Sequence, residues 1–418
     1  MLTTKPRGTN DILPGEVEKW QYIEKVIREV CQTYGYREIR TPIFEHTELF
    51  QRGVGETTDI VEKEMYTFKD RGDRSITLRP EGTAAVVRSY LENKLYAGTQ
   101  PLKLYYIGPM FRYDRPQAGR YRQFHQFGVE VLGVHSPGID AEVMAMAMEV
   151  YGRLGLKDLE LHINSLGCPQ CRPLLKERLQ EFLQPHLEGF CQQCKGRYHR
   201  NPLRILDCKS EKCKQLSEGA PTTADCLCPS CAAFFDEVKR CLDLLGIDYV
   251  VDKNLVRGLD YYTHTAFEIM AKGIGAQSSV GGGGRYNGLV EACGGPEIPG
   301  IGYALGLERI LLAMEQQGAE FPPAWRPDVF LVTACPEAEE EVYKLLADLR
   351  ELGYSADKDY MGRSLKAQMK YAGKLNARRT VIIGENELKN GTITVKDMIT
   401  GEQEEIKREK ITVLLGGK

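Results

Sequence analysis

Gly108-Pro-Met-Phe-Arg-Tyr113, followed by Arg122-Gln-Phe-His-Gln-Phe-Gly-Val-Glu130, is the stretch that decides the fold. Leu102 to Ile107 and Phe124 to Leu132 are β-rich, and the loop Arg115-Pro-Gln-Ala-Gly-Arg120 lies between them. That arrangement predicts a hairpin, and with it a mostly antiparallel sheet. Strand side chains alternate, so Phe124, Gln126, Gly128 and Glu130 share one face. Phe111 and Tyr113 point the other way from Arg112. One sheet face can therefore present Arg112, Phe124, Gln126 and Glu130 together.

Upstream, Trp20, Ile23, Ile27, Val30 and Tyr34 fall at helical spacing, and Gly35 marks the stop. Arg37 to Thr41 reads as a strand closed by Pro42, which belongs at a strand end or an edge. Ile139 to Leu154 is helical. Leu159 to Asn164 and Asp248 to Asn254 read as strands of the same body. Between them, nine of the chain's thirteen cysteines lie from Cys168 to Cys231. This segment, about 168–232, is expected to be an insertion into a domain spanning 1–325. The three prolines of Phe321-Pro-Pro-Ala-Trp-Arg-Pro327 form a stiff boundary. Beyond it, strand and helix alternate over 326–418, as in a small α/β domain. The fold class is mixed α/β (α+β), a mostly antiparallel sheet flanked by helices.

The 418 residues are 42% hydrophobic and 27% charged, with a net charge of −3. A chain of this length can bury a large core without disulfides. No global charge points to a nucleic acid or a membrane, so any such partner must be met by a local patch. No apolar run is long enough to span a bilayer, and the N-terminus lacks a secretory stretch, so a cytoplasmic location is expected. In a reducing compartment the cysteines are metal ligands or buried thiols rather than disulfides. Cys168-Pro-Gln-Cys171 and Cys191-Gln-Gln-Cys194 have a spacing that suits one structural zinc. Cys208, Cys213, Cys226, Cys228 and Cys231 offer a second set. Reduced free thiols are the alternative.

Four segments carry chemistry: Arg79-Pro-Glu-Gly-Thr-Ala84, the hairpin already quoted, Val256-Arg-Gly-Leu-Asp-Tyr-Tyr262, and Gly302-Tyr-Ala-Leu-Gly-Leu-Glu-Arg309. Arg112, Arg120, Arg122, Arg257 and Arg309 are rigid forks for phosphate oxygens. Phe124 is a surface on which a base can stack. Glu81 and Glu130 can hold an ammonium or accept from a ring N–H. Together these suit ATP and a small amino-bearing substrate. Each also has a plainer reading: Phe124 as core, Arg120 as a solvated loop residue, Glu81 as an acid in a helix's first turn, and Gly281 to Gly284 as a flexible turn.

Taken together the segments resemble the class II aminoacyl-tRNA synthetases, and closely the prokaryote-type histidyl-tRNA synthetase family. The first helix, strand and Pro42 resemble that class's motif 1. Phe111-Arg112 through Glu130 resemble motif 2, and Ile301 to Arg309 resemble motif 3, with Ala304 where many members have glycine. Val256 to Tyr262 and Gly283-Gly-Arg-Tyr-Asn-Gly-Leu289 resemble two signatures special to the histidine enzyme. The resemblance covers essentially the whole chain.

It implies activation of L-histidine by ATP with Mg²⁺, then transfer to the terminal adenosine of tRNA(His). It implies Arg112, Arg257 and Arg309 as catalytic groups, with Arg112, Arg120, Arg122, Phe124 and Arg309 on ATP. Glu81, Gly82, Thr83, Arg112, Gln126, Glu130, Arg257, Tyr261, Tyr262 and Tyr286 would bind histidine. It implies a C-terminal anticodon-binding domain and a homodimer through motif 1. From Lys358 to Arg379 there are seven basic residues and one acid, Asp359, a patch that suits phosphate. The alternative is a synthetase-like regulatory subunit of ATP phosphoribosyltransferase, which lacks both that C-terminus and an intact Arg257 to Tyr262 signature.

Overall fold

The computed structural model describes residues 3–55, 58–206, 208, 210–272 and 279–415. They fall into two units, Met1–Pro322 and Pro323–Lys418, divided inside the proline-rich boundary.

The strands of the first unit are β1 (Arg37–Glu38), β2 (Phe44–His46), β3 (Tyr66–Lys69), β4 (Ser75–Leu78), β5 (Leu102–Phe111), β6 (Gln123–Leu132), β7 (Leu159–Ser165), β8 (Val250–Val251), β9 (Thr263–Ala271), β10 (Ser279–Arg285) and β11 (Gly300–Gly306). Eight of them form one sheet in the order β1-β5-β6-β11-β10-β9-β7-β8, and β2-β4-β3 form a small second sheet. The large sheet is antiparallel except at its rims, where β1 lies parallel to β5 and β8 to β7. β5 and β6 pair over ten residues from Leu102↔Leu132 to Phe111↔Gln123, the hairpin read from the sequence.

Alternation along β6 divides the molecule. Phe127, Val129 and Val131 are fully buried in the main core, with Ile23, Ile27 and Val30 of the helix Val17–Thr33 and Met144 and Val150 of the helix Pro137–Arg153. The other parity, Phe124, Gln126, Gly128 and Glu130, faces away from those helices and is left for the site. Gly35 ends the first helix with a positive φ of 76°, a conformation open to glycine at little cost. The expected strand from Arg37 to Thr41 is only Arg37–Glu38. Arg79 captures the Thr41 carbonyl at 3.0 Å and so turns the chain off the sheet before Pro42.

The segment from Cys168 to Cys231 is built from short helices, Cys171–Leu183, Gln192–Arg200 and Glu211–Leu216, ending in Pro229–Leu244. It has its own small core around Leu175, Leu179, Leu183, Phe190 and Ile205.

In the second unit, β12 (Val329–Thr333), β13 (Ala356–Lys358), β14 (Arg379–Ile383), β15 (Thr392–Asp397) and β16 (Gln403–Lys407) form a sheet ordered β13-β12-β14-β15-β16. Its core centres on Val329, Leu331, Leu345, Leu349 and Val381. Among the described residues, no helix is long and apolar enough to cross a membrane.

Candidate active site

Two cavities open on the polar face of the large sheet. The first, of about 600 Å³, is lined by Glu81, Thr83, Tyr106, Gln126, Tyr261, Tyr262 and Tyr286, with Arg112, Arg120 and Arg257 at its edge. The second, of about 500 Å³, is lined by Arg112, Arg120, Phe124, Gln126, Arg257 and Arg309 over a floor that includes Gly281, Gly282 and Gly306. Arg112, Arg120, Gln126 and Arg257 line both. One end of the joint space is rich in phenols and the other in guanidinium groups.

The phenol end is organised by Glu130, which is 1% exposed. Its carboxylate accepts from Thr83 Oγ1 at 2.7 Å, from Tyr286 at 2.6 Å and from Tyr106 at 3.3 Å. The Glu130 side chain therefore stands behind the phenols rather than among the residues that line the cavity. Burial pushes its pKa up to about 8, against the stabilising pull of the Tyr286 and Thr83 hydroxyls. Glu81 accepts from the backbone N–H groups of Thr83 and Ala84, at 2.7 and 2.9 Å, at the start of the helix Thr83–Glu92. It thus serves as the helix-start acid and lines the cavity as well. Burial raises its pKa too. Gly82 lines neither cavity. It lies against the Tyr106 ring, and so does Gly128; a Cβ on either would enter that ring.

At the guanidinium end, Arg112 donates through Nε to the Pro80 carbonyl at 2.8 Å, and its guanidinium lies 5.3 Å from the Phe124 ring centroid. Arg257 is held by Glu268 at 3.4 Å and lies 5.6 Å over the Tyr262 ring. Its Nε is a buried donor with no hydrogen-bond partner among the described residues, a position that suits an incoming anion. Gln126 Oε1 is likewise buried and without a partner among the described residues. Arg309, in the first turn of the helix Leu307–Gln317, donates to the Ser279 carbonyl. Arg120 pairs with Asp114 at 2.6 Å. Arg122 stands apart from both cavities, its guanidinium 3.9 Å over the Tyr113 ring and its Nε 3.3 Å from the Asp114 carbonyl.

Gly281 to Gly284 are no flexible turn. They form the middle of β10, between β9 and β11. A Cβ at Gly282 would come within 2.9 Å of an Arg257 nitrogen, so the missing side chain lets that guanidinium lie on the sheet. Tyr106, Asp114 and Glu268 were not singled out from the sequence. For Glu268 a signal was present: it is the polar residue between Phe267 and Ile269, both fully buried, and so faces the site by strand alternation.

The cysteines group differently from the expectation. Cys168 and Cys171 do not meet Cys191 and Cys194; they meet Cys228 and Cys231, while Cys191 and Cys194 meet Cys208 and Cys213. The reason is the 13-residue helix Cys171–Leu183. At 1.5 Å per residue it carries the chain roughly 18 Å away before the second pair, and only the return at Cys228 comes back.

Of the seven basic residues from Lys358 to Arg379, four face acids. Lys358 pairs with Glu339, Arg363 with Asp359, Arg378 with Asp328 and Arg379 with Asp397. Lys366, Lys370 and Lys374 lie exposed along the helix Leu365–Lys374.

Comparisons with known proteins agree with this geometry. The histidyl-tRNA synthetase family matches residues 8–178 and 210–310, and the anticodon binding domain matches residues 328–415. The histidine–tRNA ligase of Desulforamulus reducens is 66% identical over 415 residues, covering 99% of each chain. That of Pelotomaculum thermopropionicum is 67% identical over 420 residues, again 99% of each. The crystal structure of apo S. aureus histidyl-tRNA synthetase superposes with a TM-score of 0.85 at 48% identity, covering 99% of this chain and 100% of that one. With family patterns matching along both of its units, and relatives of this identity over nearly its full length, the chain belongs to the histidyl-tRNA synthetase family.

Proposed function

We propose that this chain is a histidine–tRNA ligase. A carboxylate oxygen of L-histidine attacks the α-phosphorus of ATP, the bond to the β-phosphate oxygen breaks, and histidyl-adenylate and pyrophosphate form. The 3′-terminal adenosine of tRNA(His) then takes the histidyl group by attack of a ribose hydroxyl on its carbonyl carbon, releasing AMP. The observation that carries this reading is the pair of cavities sharing Arg112 and Arg257. Two anions must meet there, and preorganised positive charge at the meeting point offsets their repulsion.

Histidine occupies the phenol end. Glu81, Thr83 and Gln126 hold its ammonium and carboxylate region. Tyr261, Tyr262 and Tyr286 surround the imidazole, and Glu130 aligns Tyr286 and Thr83. Neutral imidazole offers one donor and one acceptor, and a side chain without them leaves buried groups unpaired. The nucleotide occupies the guanidinium end, its base on Phe124 and its phosphates on Arg112, Arg120 and Arg309. Arg257 faces the α-phosphate from the other side, and its Nε, unpartnered among the described residues, supports that role. Arg122 contributes by buttressing Tyr113 and the loop rather than by touching ATP. Mg²⁺ accompanies the nucleotide. The carboxylates lining the second cavity, Asp114, Glu268 and Glu308, are oxygen donors that fit it, but Asp114 and Glu268 already pair with Arg120 and Arg257, and Glu308 accepts from the His125 backbone N–H. The phosphates are therefore its main ligands. The regulatory-subunit alternative is disfavoured by the match at residues 328–415 and the intact Arg257 to Tyr262 signature.

The second unit binds the tRNA anticodon region. The enzyme works in the cytoplasm and as a homodimer; for the homodimer the support is Phe44 and Phe68, which stand 56% and 48% exposed on the small sheet. Histidine-dependent ATP–pyrophosphate exchange tests the activity. Exchange with histidine and not with other amino acids is expected, and none at any histidine concentration overturns the reading. Arg257→Ala is expected to lower exchange by about 10²–10³-fold, the usual loss of one preorganised transition-state donor, while tRNA affinity changes far less. Equal losses in both would remove Arg257 from the α-phosphate.

A further inference from the structure

Eight of the insertion's cysteines have no place in that reaction, yet they are gathered into two groups of four. Within each group all four sulfurs lie within 4.8 Å of one another. Cys168 Sγ is 3.7 Å from Cys171 Sγ and 3.9 Å from Cys228 Sγ, and Cys191 Sγ is 4.0 Å from Cys208 Sγ. A tetrahedron with Zn–S bonds of about 2.3 Å spaces its sulfurs about 3.8 Å apart. The space enclosed suits one metal ion rather than an iron–sulfur cluster. Backbone N–H groups already point at the ligand sulfurs, Cys228 N at Cys171 Sγ (3.2 Å) and Cys191 N at Cys213 Sγ (3.4 Å), the outer support that a metal-bound thiolate uses. We infer that the insertion is built on two mononuclear Zn²⁺ sites, Cys168/Cys171/Cys228/Cys231 and Cys191/Cys194/Cys208/Cys213, the second of which braces a wall of the substrate cavity.

The two sites do different work. The first joins the chain where it leaves β7 to the chain where it re-enters the helix Pro229–Leu244, and so closes the insertion at its neck. Short helices with a small core need such a staple. The second lies farther out. Cys191 and Cys208 themselves line the first cavity, together with Arg197 and Arg204. From the helix that begins beside Cys191, Arg197 reaches Asp59 at 3.5 Å and Arg200 reaches Glu62 at 2.8 Å. Arg204 bonds the Gly258 carbonyl at 2.7 Å and Asp260 at 3.2 Å. The stretch between Cys194 and Cys208 thus latches onto the loop that carries Arg257. A metal that joins Cys191 and Cys194 to Cys208 and Cys213 fixes both ends of that latch. This bracing role rests on the ligase reading; the two metal sites do not.

The test is metal analysis of the full chain, purified under reducing conditions without chelator. Two zinc ions per chain are expected, falling to one in Cys168→Ser/Cys228→Ser and to one in Cys191→Ser/Cys208→Ser. On wild-type protein, titration with a mercurial in the presence of a chromophoric zinc chelator should release both ions, which needs no variant to fold. Zinc near zero or one per chain, iron in its place, or either variant losing both ions overturns the assignment. For the bracing role, hydrogen exchange over residues 192–206 and 256–260 should accelerate in Cys191→Ser/Cys208→Ser, and the KM for histidine should rise at least fivefold. Unchanged exchange and KM in that variant reject the wall function. If two zinc ions are found and no pyrophosphate exchange occurs, the sites stand and the ligase reading falls.

Discussion

Glu130 concentrates three hydroxyl donors on one buried carboxylate, and burial is strong enough that its pKa still rises to about 8. In the unfolded chain the same group titrates near ~4.3. The native state therefore holds the proton more tightly. The stabilisation from this group is complete below the unfolded value and is lost as pH climbs through the window up to about 8, at a slope of at most ~1.4 kcal/mol per pH unit. Glu81, raised by burial as well, acts with the same sign. The urea midpoint of the unliganded protein should fall between pH 5.5 and 8, and Glu130→Gln should flatten that fall. Parallel curves for the two proteins would show that Glu130 carries no such proton.

Single strands set how closely these groups approach. Gly302 of β11 pairs with Glu130 of β6, and a Cβ there would overlap Glu130 Oε2 and the Val129 carbonyl. Gly306, four residues on in the same strand, would place a Cβ 3.8 Å from its nearest neighbour, the Arg309 side chain. Overpacking of this kind costs about 1–3 kcal/mol or more where backbone must move. Thermal unfolding should show Gly302→Ala several degrees below wild type and Gly306→Ala within about two degrees. Similar Tm values for both variants would mean that β11 yields freely. The same strand-level view explains Asp140 and Arg285, a fully buried ion pair between the helix Pro137–Arg153 and the end of β10. That arginine lies in the glycine-rich signature but serves the fold, while its neighbour Tyr286 serves the site.

Across the whole molecule, charge is local rather than global. Pairing with acids leaves the basic patch of the second unit as a row of three lysines, 366, 370 and 374, on one helix face. Each phosphate contact made by such a group contributes somewhat less than one unit to the salt dependence of binding. Replacing all three by alanine should lower tRNA affinity about tenfold or more and reduce the slope of log K against log salt by about two. An unchanged slope would assign these lysines to solvent.

Local pattern was enough to determine the hairpin, its polar face, the helix stop at Gly35 and the family, because alternation, helical spacing and motif chemistry are written within about ten residues. The polar face held Phe124, Gln126 and Glu130 as the period of two required. Tertiary structure alone decided which distant groups meet. It put Glu130 behind the phenols, turned Arg122 onto Tyr113, made a strand of four glycines and sorted the cysteines by where a 13-residue helix delivers the chain rather than by their order. Such pairings depend on the summed path of many residues, and no short stretch of sequence contains that sum.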